Sequence, residues 1–367
     1  MPQRRRLITI FAIVFPSISA ILILSFVALR VIYPAILRTT HKINSPGIDL
    51  METVEIGGIQ QVMYFRGQRT ENPVILFLHG GPGGTHMSFI HKYQYPLEYD
   101  FTIVNWDQRN TAKTYYANDP KVVLGTMGLQ RALDDAYEVT QYVKQKLGKD
   151  KIMLLGHSWG SVLGTMMALA HPEDYSALLC IGQPTNMTDS ERALYERTLE
   201  VVRASGNRRD IAALEAIAPY SSQIKFDQKA NTQMVKLRGI QAKYKVVMDL
   251  DAKLFLAATT SPYCSTRENL QFLFVRQLHS QGELFRFLME DFNLFDYSTN
   301  YDIPVYYIIG EKDWQTPFAL LREYFDKISA PDKAVFFIPD AGHFTILDNP
   351  EAFNRVLVEE IKPRIKY

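Results

Sequence analysis

Ser158 lies at the centre of Gly156-His157-Ser158-Trp159-Gly160, a G-x-S-x-G string in which the flanking glycines permit a turn sharp enough to present the hydroxyl. A serine at its ordinary pKa is a weak nucleophile, so acyl-transfer chemistry also needs a base, a group that orients the base, and donors for an oxyanion. His343, in Pro339-Asp340-Ala341-Gly342-His343, is the candidate base. Asp313, in Gly310-Glu311-Lys312-Asp313, is the candidate orienting acid, with Glu311 and Asp340 as its competitors. Upstream, His79-Gly80-Gly81-Pro82-Gly83-Gly84 lets main-chain N–H groups approach a substrate without intervening side chains. The expected oxyanion donors are the N–H groups of Gly81 and Trp159. His79, placed before the glycines, is read as bracing that loop rather than as the base.

Each of these groups follows a strand-like stretch, and the one before the glycines has the continuous apolar pattern of a strand buried on both faces. Val74 to Leu78 runs into the glycines, Lys151 to Leu155 into the serine, Val305 to Ile309 into Asp313, and Ala334 to Ile338 into His343. Open α/β sheets gather their sites at the carboxyl ends of strands, which is where all four segments end. Ser161 to Ala170, with the small residues Gly164, Ala168 and Ala170, reads as a helix packed closely on the sheet. Gly128 to Leu147 has the apolar period of another helix. Thr53 to Ile56 and Gln61 to Phe65 read as a hairpin turned at Gly57-Gly58. From Pro184 to about residue 300 the strand–helix alternation stops. Helical stretches such as Asp189 to Ala204 and Leu270 to Leu288 suggest a cap over the carboxyl edge.

The chain order Ser158, Asp313, His343 is that of the α/β-hydrolases. Together with Asn105-Trp106-Asp107-Gln108-Arg109, these motifs resemble the proline iminopeptidase branch of that superfamily, a serine peptidase family. The similarity covers roughly residues 50–183 and 300–365. It implies an α/β fold with a mostly parallel sheet flanked by helices, an inserted helical cap, and hydrolysis through an acyl-enzyme. Two departures stand out. The family usually continues Asp-Gln-Arg with glycines, whereas this chain reads Asn110-Thr111-Ala112. The family's Trp-Glu signature, whose glutamate meets the substrate amine, is missing from the insert, since Trp106, Trp159 and Trp314 all lie elsewhere.

Without that signature, the acids of the insert are left to meet an ammonium, and Glu191 and Glu196 come first because their segment follows the entry at Pro184. Tyr195, Phe255, Tyr263, Phe272, Phe274, Phe285, Phe287 and Phe292 are candidate walls of an apolar pocket. The substrate expected is a short peptide or amino-acid amide. A carboxylesterase or lipase would carry the same triad, and a binding protein that has abandoned chemistry is the more distant alternative.

The 367 residues carry a formal charge of +1, which gives nucleic-acid binding no electrostatic basis. The two cysteines, Cys180 and Cys264, read as free thiols, and no metal-binding spacing or cofactor motif occurs. From Leu7 to Leu29 the sequence has no charged residue, and a helix of that length extends about 34 Å, enough to cross a bilayer core. A cleavable signal peptide is the alternative to an anchor, but its apolar region is shorter. Arg4-Arg5-Arg6 precedes the run, which predicts a cytoplasmic amino terminus and a catalytic domain outside the cell membrane. The expected organisation is an anchor and tether over 1–46, a hydrolase core over 47–183 and 301–367, and a helical cap over 184–300.

Overall fold

The computed structural model describes residues 17, 19–20, 23–220, 228–246, 252–273 and 282–366. Eight strands form one sheet in the order β1-β2-β4-β3-β5-β6-β7-β8. They are β1 Ile48–Ile56, β2 Ile59–Gly67, β3 Val74–Leu78, β4 Thr102–Asp107, β5 Ile152–His157, β6 Tyr175–Ile181, β7 Val305–Gly310 and β8 Lys333–Ile338. β1, β2 and β4 pair antiparallel, and every pairing from β4 to β8 is parallel. β3, β4, β5 and β7 are buried along their whole length, which explains why β3, β5 and β7 read as near-continuous apolar runs rather than alternating ones.

Helices cover both faces of the sheet, which separates two large cores. One core joins Leu76, Leu78 and Leu154 of the sheet to Val139 and Val143 of the helix Leu129–Leu147 and to Val162 and Leu163 of the helix Trp159–Ala170. The other joins Ile75, Phe77 and Leu155 to Ile346, Phe353 and Leu357 near the carboxyl terminus. The order reverses around β3, whose neighbours are β4 on one side and β5 on the other. The crevice beyond the carboxyl ends of β3 and β5 is therefore the topological switch point, where sheets of this kind hold ligands.

Between β6 and β7 the described elements are mainly helices, Met187–Ser205, Arg208–Glu215, Gln228–Lys243, Ala252–Thr259, Thr266–Leu273 and Gly282–Arg286, the last running on as a wider turn through Phe287–Asp291, joined by loops that include an isolated bridge between Asn186 and Asn293. Part of this insert has a small core of its own, formed by Tyr195, Val202, Leu214, Ile217, Tyr220 and Leu237. Residues 274–281, including Phe274 and the middle of the helix expected from Leu270 to Leu288, lie outside the described residues.

The amino-terminal segment differs from the expected tether. A helix over Ile23–Thr40, with mean hydropathy 1.4, is long and apolar enough to cross a membrane. Residues 7–16, 18, 21 and 22 of the expected span lie outside the described residues. Past Leu29 the chain stays helical to Thr40, and two arginines tie it to the insert. Arg30 donates to the carbonyls of Thr259 (2.5 Å) and Cys264 (3.3 Å), and Arg38 donates to that of Pro262 (3.0 Å). Below the helix, His41 stacks on Tyr95 with ring centroids 3.8 Å apart, and its carbonyl accepts a hydrogen bond from the buried Arg66 (2.7 Å).

Candidate active site

Ser158 joins β5 to the helix Trp159–Ala170 with φ 52° and ψ −117°, a region of backbone space that costs a non-glycine residue about 1–3 kcal/mol. Surrounding contacts leave no relaxed alternative. The Ser158 N–H donates to Ile181 O (2.8 Å), while its carbonyl accepts from Ser161 N–H (2.8 Å) and Ser161 Oγ (2.6 Å). The elbow glycines are required by distance. A Cβ at Gly160 would lie 1.8 Å from Leu78 O, and one at Gly156 would lie 2.4 Å from Gly160 O.

Next to Ile181, Gly182 (φ 57°) lies against Asp313 and His343, since a Cβ there would meet His343 Cε1 and Nδ1 at 2.9 Å and Asp313 Oδ2 at 3.2 Å. His343 Nδ1 donates to Asp313 Oδ2 (2.9 Å), and both residues are buried. Of the three competing acids, Asp313 takes the histidine. Asp340 instead accepts from Lys312 Nζ (2.7 Å) at the surface, and Glu311 is exposed. Asp313 Oδ1 accepts the N–H groups of Gln315 and Thr316, each at 2.9 Å, and Oδ2 also accepts from Thr316 Oγ1 (2.7 Å). Burial pushes the Asp313 carboxyl up, but the charge of His343 and the hydrogen bonds from His343 and Thr316 outweigh it and hold it below its usual range. With Nδ1–H committed to Asp313, Nε2 is the nitrogen left to accept a proton.

The glycine loop after β3 is braced from several sides. His79 Nδ1–H donates to Gly80 O (2.9 Å), and its Nε2 accepts the Gln108 N–H (3.2 Å). Gln108 also donates to His79 O (3.0 Å) and accepts from the indole N–H of Trp159 (3.1 Å), joining the glycine loop to the elbow. Burial lowers the His79 pKa to about 4, so the ring is neutral and suited to this bracing. Thr85 Oγ1 donates to Asp107 Oδ1 (2.5 Å) on the same loop. Gly80 abuts the elbow, with a Cβ there 3.3 Å from Ser158 Cβ, so the loop that carries Gly81 lies beside the serine. The Trp159 N–H is among the orphan donors at the first turn of its helix.

Three residues here carried no functional reading in the sequence. Thr316 holds the Asp313 carboxylate. His157 and His86 form a second chain of rings: His86 Nε2–H donates to His157 Nδ1 (3.2 Å), and His157 Nε2–H donates to the carbonyl of His343 (2.9 Å). Burial, together with the charge of His343, lowers the His157 pKa to about 3. The only signal for His157 was its place inside the elbow string, and its contact spans 186 positions.

Asn110 and Ala112, which stand where the related family usually has glycines, both adopt positive φ, 63° and 38°. The loop thus keeps a backbone that favours glycine. Asparagine tolerates this region, but alanine does so only at a cost of about 1–2 kcal/mol.

The insert meets the site through the loops beneath it. Ser88 Oγ donates to Asn269 Oδ1 (2.7 Å), Ser261 Oγ to Met87 O (3.2 Å), and Lys113 Nζ to Glu268 Oε2 (2.8 Å). Phe287 packs edge-on against Trp159 with centroids 6.4 Å apart, and Phe292 packs behind it. Tyr195 stacks on Tyr220 within the insert's own core, Tyr263 bonds to Tyr95, and Phe255 points to solvent. Of the two acids expected to meet an ammonium, Glu191 is buried but already accepts from Tyr220 Oη (2.9 Å) and pairs with Arg238. Glu196 is exposed. Among the described residues, His171, Glu173 and Asp174 form a potential metal-ligand group, but they precede β6, at the opposite end of the sheet from the serine, and Asp174 is paired with Lys144. Both cysteines are free and buried.

Residues 73–350 match the model of the alpha/beta hydrolase fold family. The chain is 26% identical to the probable aminopeptidase YbaC of Bacillus subtilis (strain 168) over 314 residues, covering 84% of this chain and 95% of that protein. It is 31% identical to a proline iminopeptidase of Saccharolobus solfataricus over 123 residues, which is 32% of this chain and 36% of that protein. In fold it is similar to VinJ, with a TM-score of 0.61 at 18% identity over 86% of this chain and 98% of that one. It is also similar to the proline iminopeptidase of Mycobacterium smegmatis, with a TM-score of 0.58 at 20% identity over 84% and 97%. The chain is a hydrolase and belongs to the alpha/beta hydrolase fold family.

Proposed function

We propose that the protein is a membrane-anchored serine hydrolase that works through an acyl-enzyme on short peptides or amino-acid amides. The observation that carries this reading is the buried Asp313–His343 pair (2.9 Å) set against Gly182, the neighbour of the Ile181 carbonyl that holds Ser158 N–H. In this mechanism His343 Nε2 takes the Ser158 proton as Oγ attacks the substrate carbonyl. The N–H groups of Gly81 and Trp159 receive the oxyanion. His343 then protonates the leaving amine, and a water activated by the same histidine releases the acyl group. Asp313 stays ionised throughout, fixing the tautomer and stabilising the imidazolium.

The similarity to a probable aminopeptidase along most of both chains supports a substrate with a free amine. The helix Ile23–Thr40 and the uncharged run before it support a single-pass anchor, with Arg4-Arg5-Arg6 on the cytoplasmic side and the catalytic domain outside. A carboxylesterase is the second reading. It is favoured by the partnered state of Glu191 and by Phe287 beside Trp159, which together offer an acyl chain more than they offer an ammonium. Rates on amino-acyl amides with a free amine, on their N-acetyl forms and on short acyl esters separate the two. Selective cleavage of the free-amine set supports the aminopeptidase. Equal or faster cleavage of N-blocked amides or esters replaces it with the esterase.

A further inference from the structure

The insert helix Ala252–Thr259 buries Leu254, Ala257 and Ala258 but leaves Phe255 54% and Leu256 46% exposed. Its carboxyl end is held by the amino-terminal helix, because Arg30 donates to Thr259 O and Cys264 O while Arg38 donates to Pro262 O. Both arginines face the insert. Ile23, Leu24 and Phe26 are more than half exposed, and the strip does not stop at Arg30, since Val31 (58%), Ile32 (52%) and Ile36 (52%) continue it. A bilayer that takes up this strip must reach the level at which the insert is docked. Phe255 and Leu256 lie four and three residues before Thr259, within about 6 Å of it along their helix.

We propose that Phe255 and Leu256 are a second membrane contact, seated at the headgroup–acyl boundary of the same leaflet that receives the amino-terminal helix. The inference rests on the membrane-anchor reading. An apolar pair beside an arginine that points away from lipid is the arrangement of an interfacial contact, in which apolar side chains enter the boundary while polar groups stay with the protein. It also gives the insert a fixed orientation. Asn269 donates to Ala258 O (2.6 Å) and accepts from Ser88, and Ser261 bonds to Met87 O, so the same helix end is joined to the loop that carries His86. The bilayer then serves as a platform that sets the height of the site entrance.

The test uses the full chain reconstituted into phosphatidylcholine vesicles. Cys180 and Cys264 are buried, so Phe255→Cys and, separately, Leu256→Cys can be labelled with an environment-sensitive fluorophore, with Phe337→Cys, 48% exposed on the opposite edge strand, as the control. The inference expects a blue-shifted emission and quenching by brominated lipid at 255 and 256, with neither at 337. Vesicle-bound protein that shows no shift at 255 and 256, or an equal shift at all three positions, overturns this contact and leaves the anchor standing. Protein that does not float with the vesicles overturns both.

Discussion

Thr316 shows what a single hydroxyl contributes at the residue scale. It donates to Asp313 Oδ2 (2.7 Å) and lies 3.2 Å from His343 Nδ1, touching both members of the pair. Thr316→Val keeps the shape and both backbone N–H bonds to Asp313 but removes a hydrogen bond to a charged group, a loss of about 1.5–3 kcal/mol. We expect kcat to fall roughly tenfold to a hundredfold with KM unchanged. Steady-state kinetics check this, and an unchanged kcat would mean that the two backbone bonds suffice. His157 makes a prediction about stability instead. Its folded-state pKa is about 3, against about 6.5 unfolded, so below that higher value the unfolded chain takes a proton that the folded one refuses. Stability is therefore complete above about pH 6.5 and falls as pH drops, levelling off near 3. By about pH 5 this one ring accounts for on the order of 2 kcal/mol. His79, lowered to about 4, acts in the same direction; Asp107, raised to about 6 by burial, acts in the opposite one. His157→Gln should flatten the dependence of the thermal midpoint on pH between about 4 and 6.5, and an unaltered slope would count against a neutral buried ring. As candidates, Ser158, Asp313 and His343 were legible because each follows a strand end. Thr316, His86 and His157 were not, because their partners are set by how the loops fold together and no local spacing encodes that.

The strands that carry the site were legible as elements for a physical reason. β3, β5 and β7 are buried on both faces, and such strands read as near-continuous apolar runs. The helices of the insert were legible only in part, since their apolar residues divide among the main core, a separate small core and an exposed face, which blurs any single period. Two backbone positions give predictions at this scale. Gly182→Ala places a Cβ at φ 57°, 2.9 Å from the His343 ring, so the displacement falls on the acid–base pair. It should lower kcat at least tenfold while costing only about 1–2 kcal/mol of stability. Kinetics and denaturation of the same sample separate these effects, and a stability loss without a kcat loss would contradict the placement. Ala112→Gly should do the reverse and stabilise the fold by up to about 1 kcal/mol, because φ 38° suits glycine. A lower denaturation midpoint would show that the alanine methyl contributes more than the strain costs.

For the whole molecule, the uncharged run ahead of Arg30 was legible from charge alone, whereas the docking of the next turns on the insert was not, because it depends on carbonyls more than 220 positions away. The docking changes where a soluble form is best cut. Removing residues 1–29 should turn a chain that resists carbonate extraction into one that carbonate releases, and leave its stability intact. Removing 1–43 also takes away the His41 carbonyl that receives Arg66 Nη2 (2.7 Å) and the ring stacked on Tyr95, and should cost about 1–3 kcal/mol. Equal thermal midpoints for the two truncations would show that the docked segment adds nothing to the fold. All of these features surround one proposed event, the acylation of Ser158, and that event is open to direct observation. A fluorophosphonate probe, followed by intact mass and peptide mapping, should place a single adduct on Ser158 in the wild type and none on Ser158→Ala. An adduct on another residue, or an unlabelled wild type that still turns over substrate, would contradict the account.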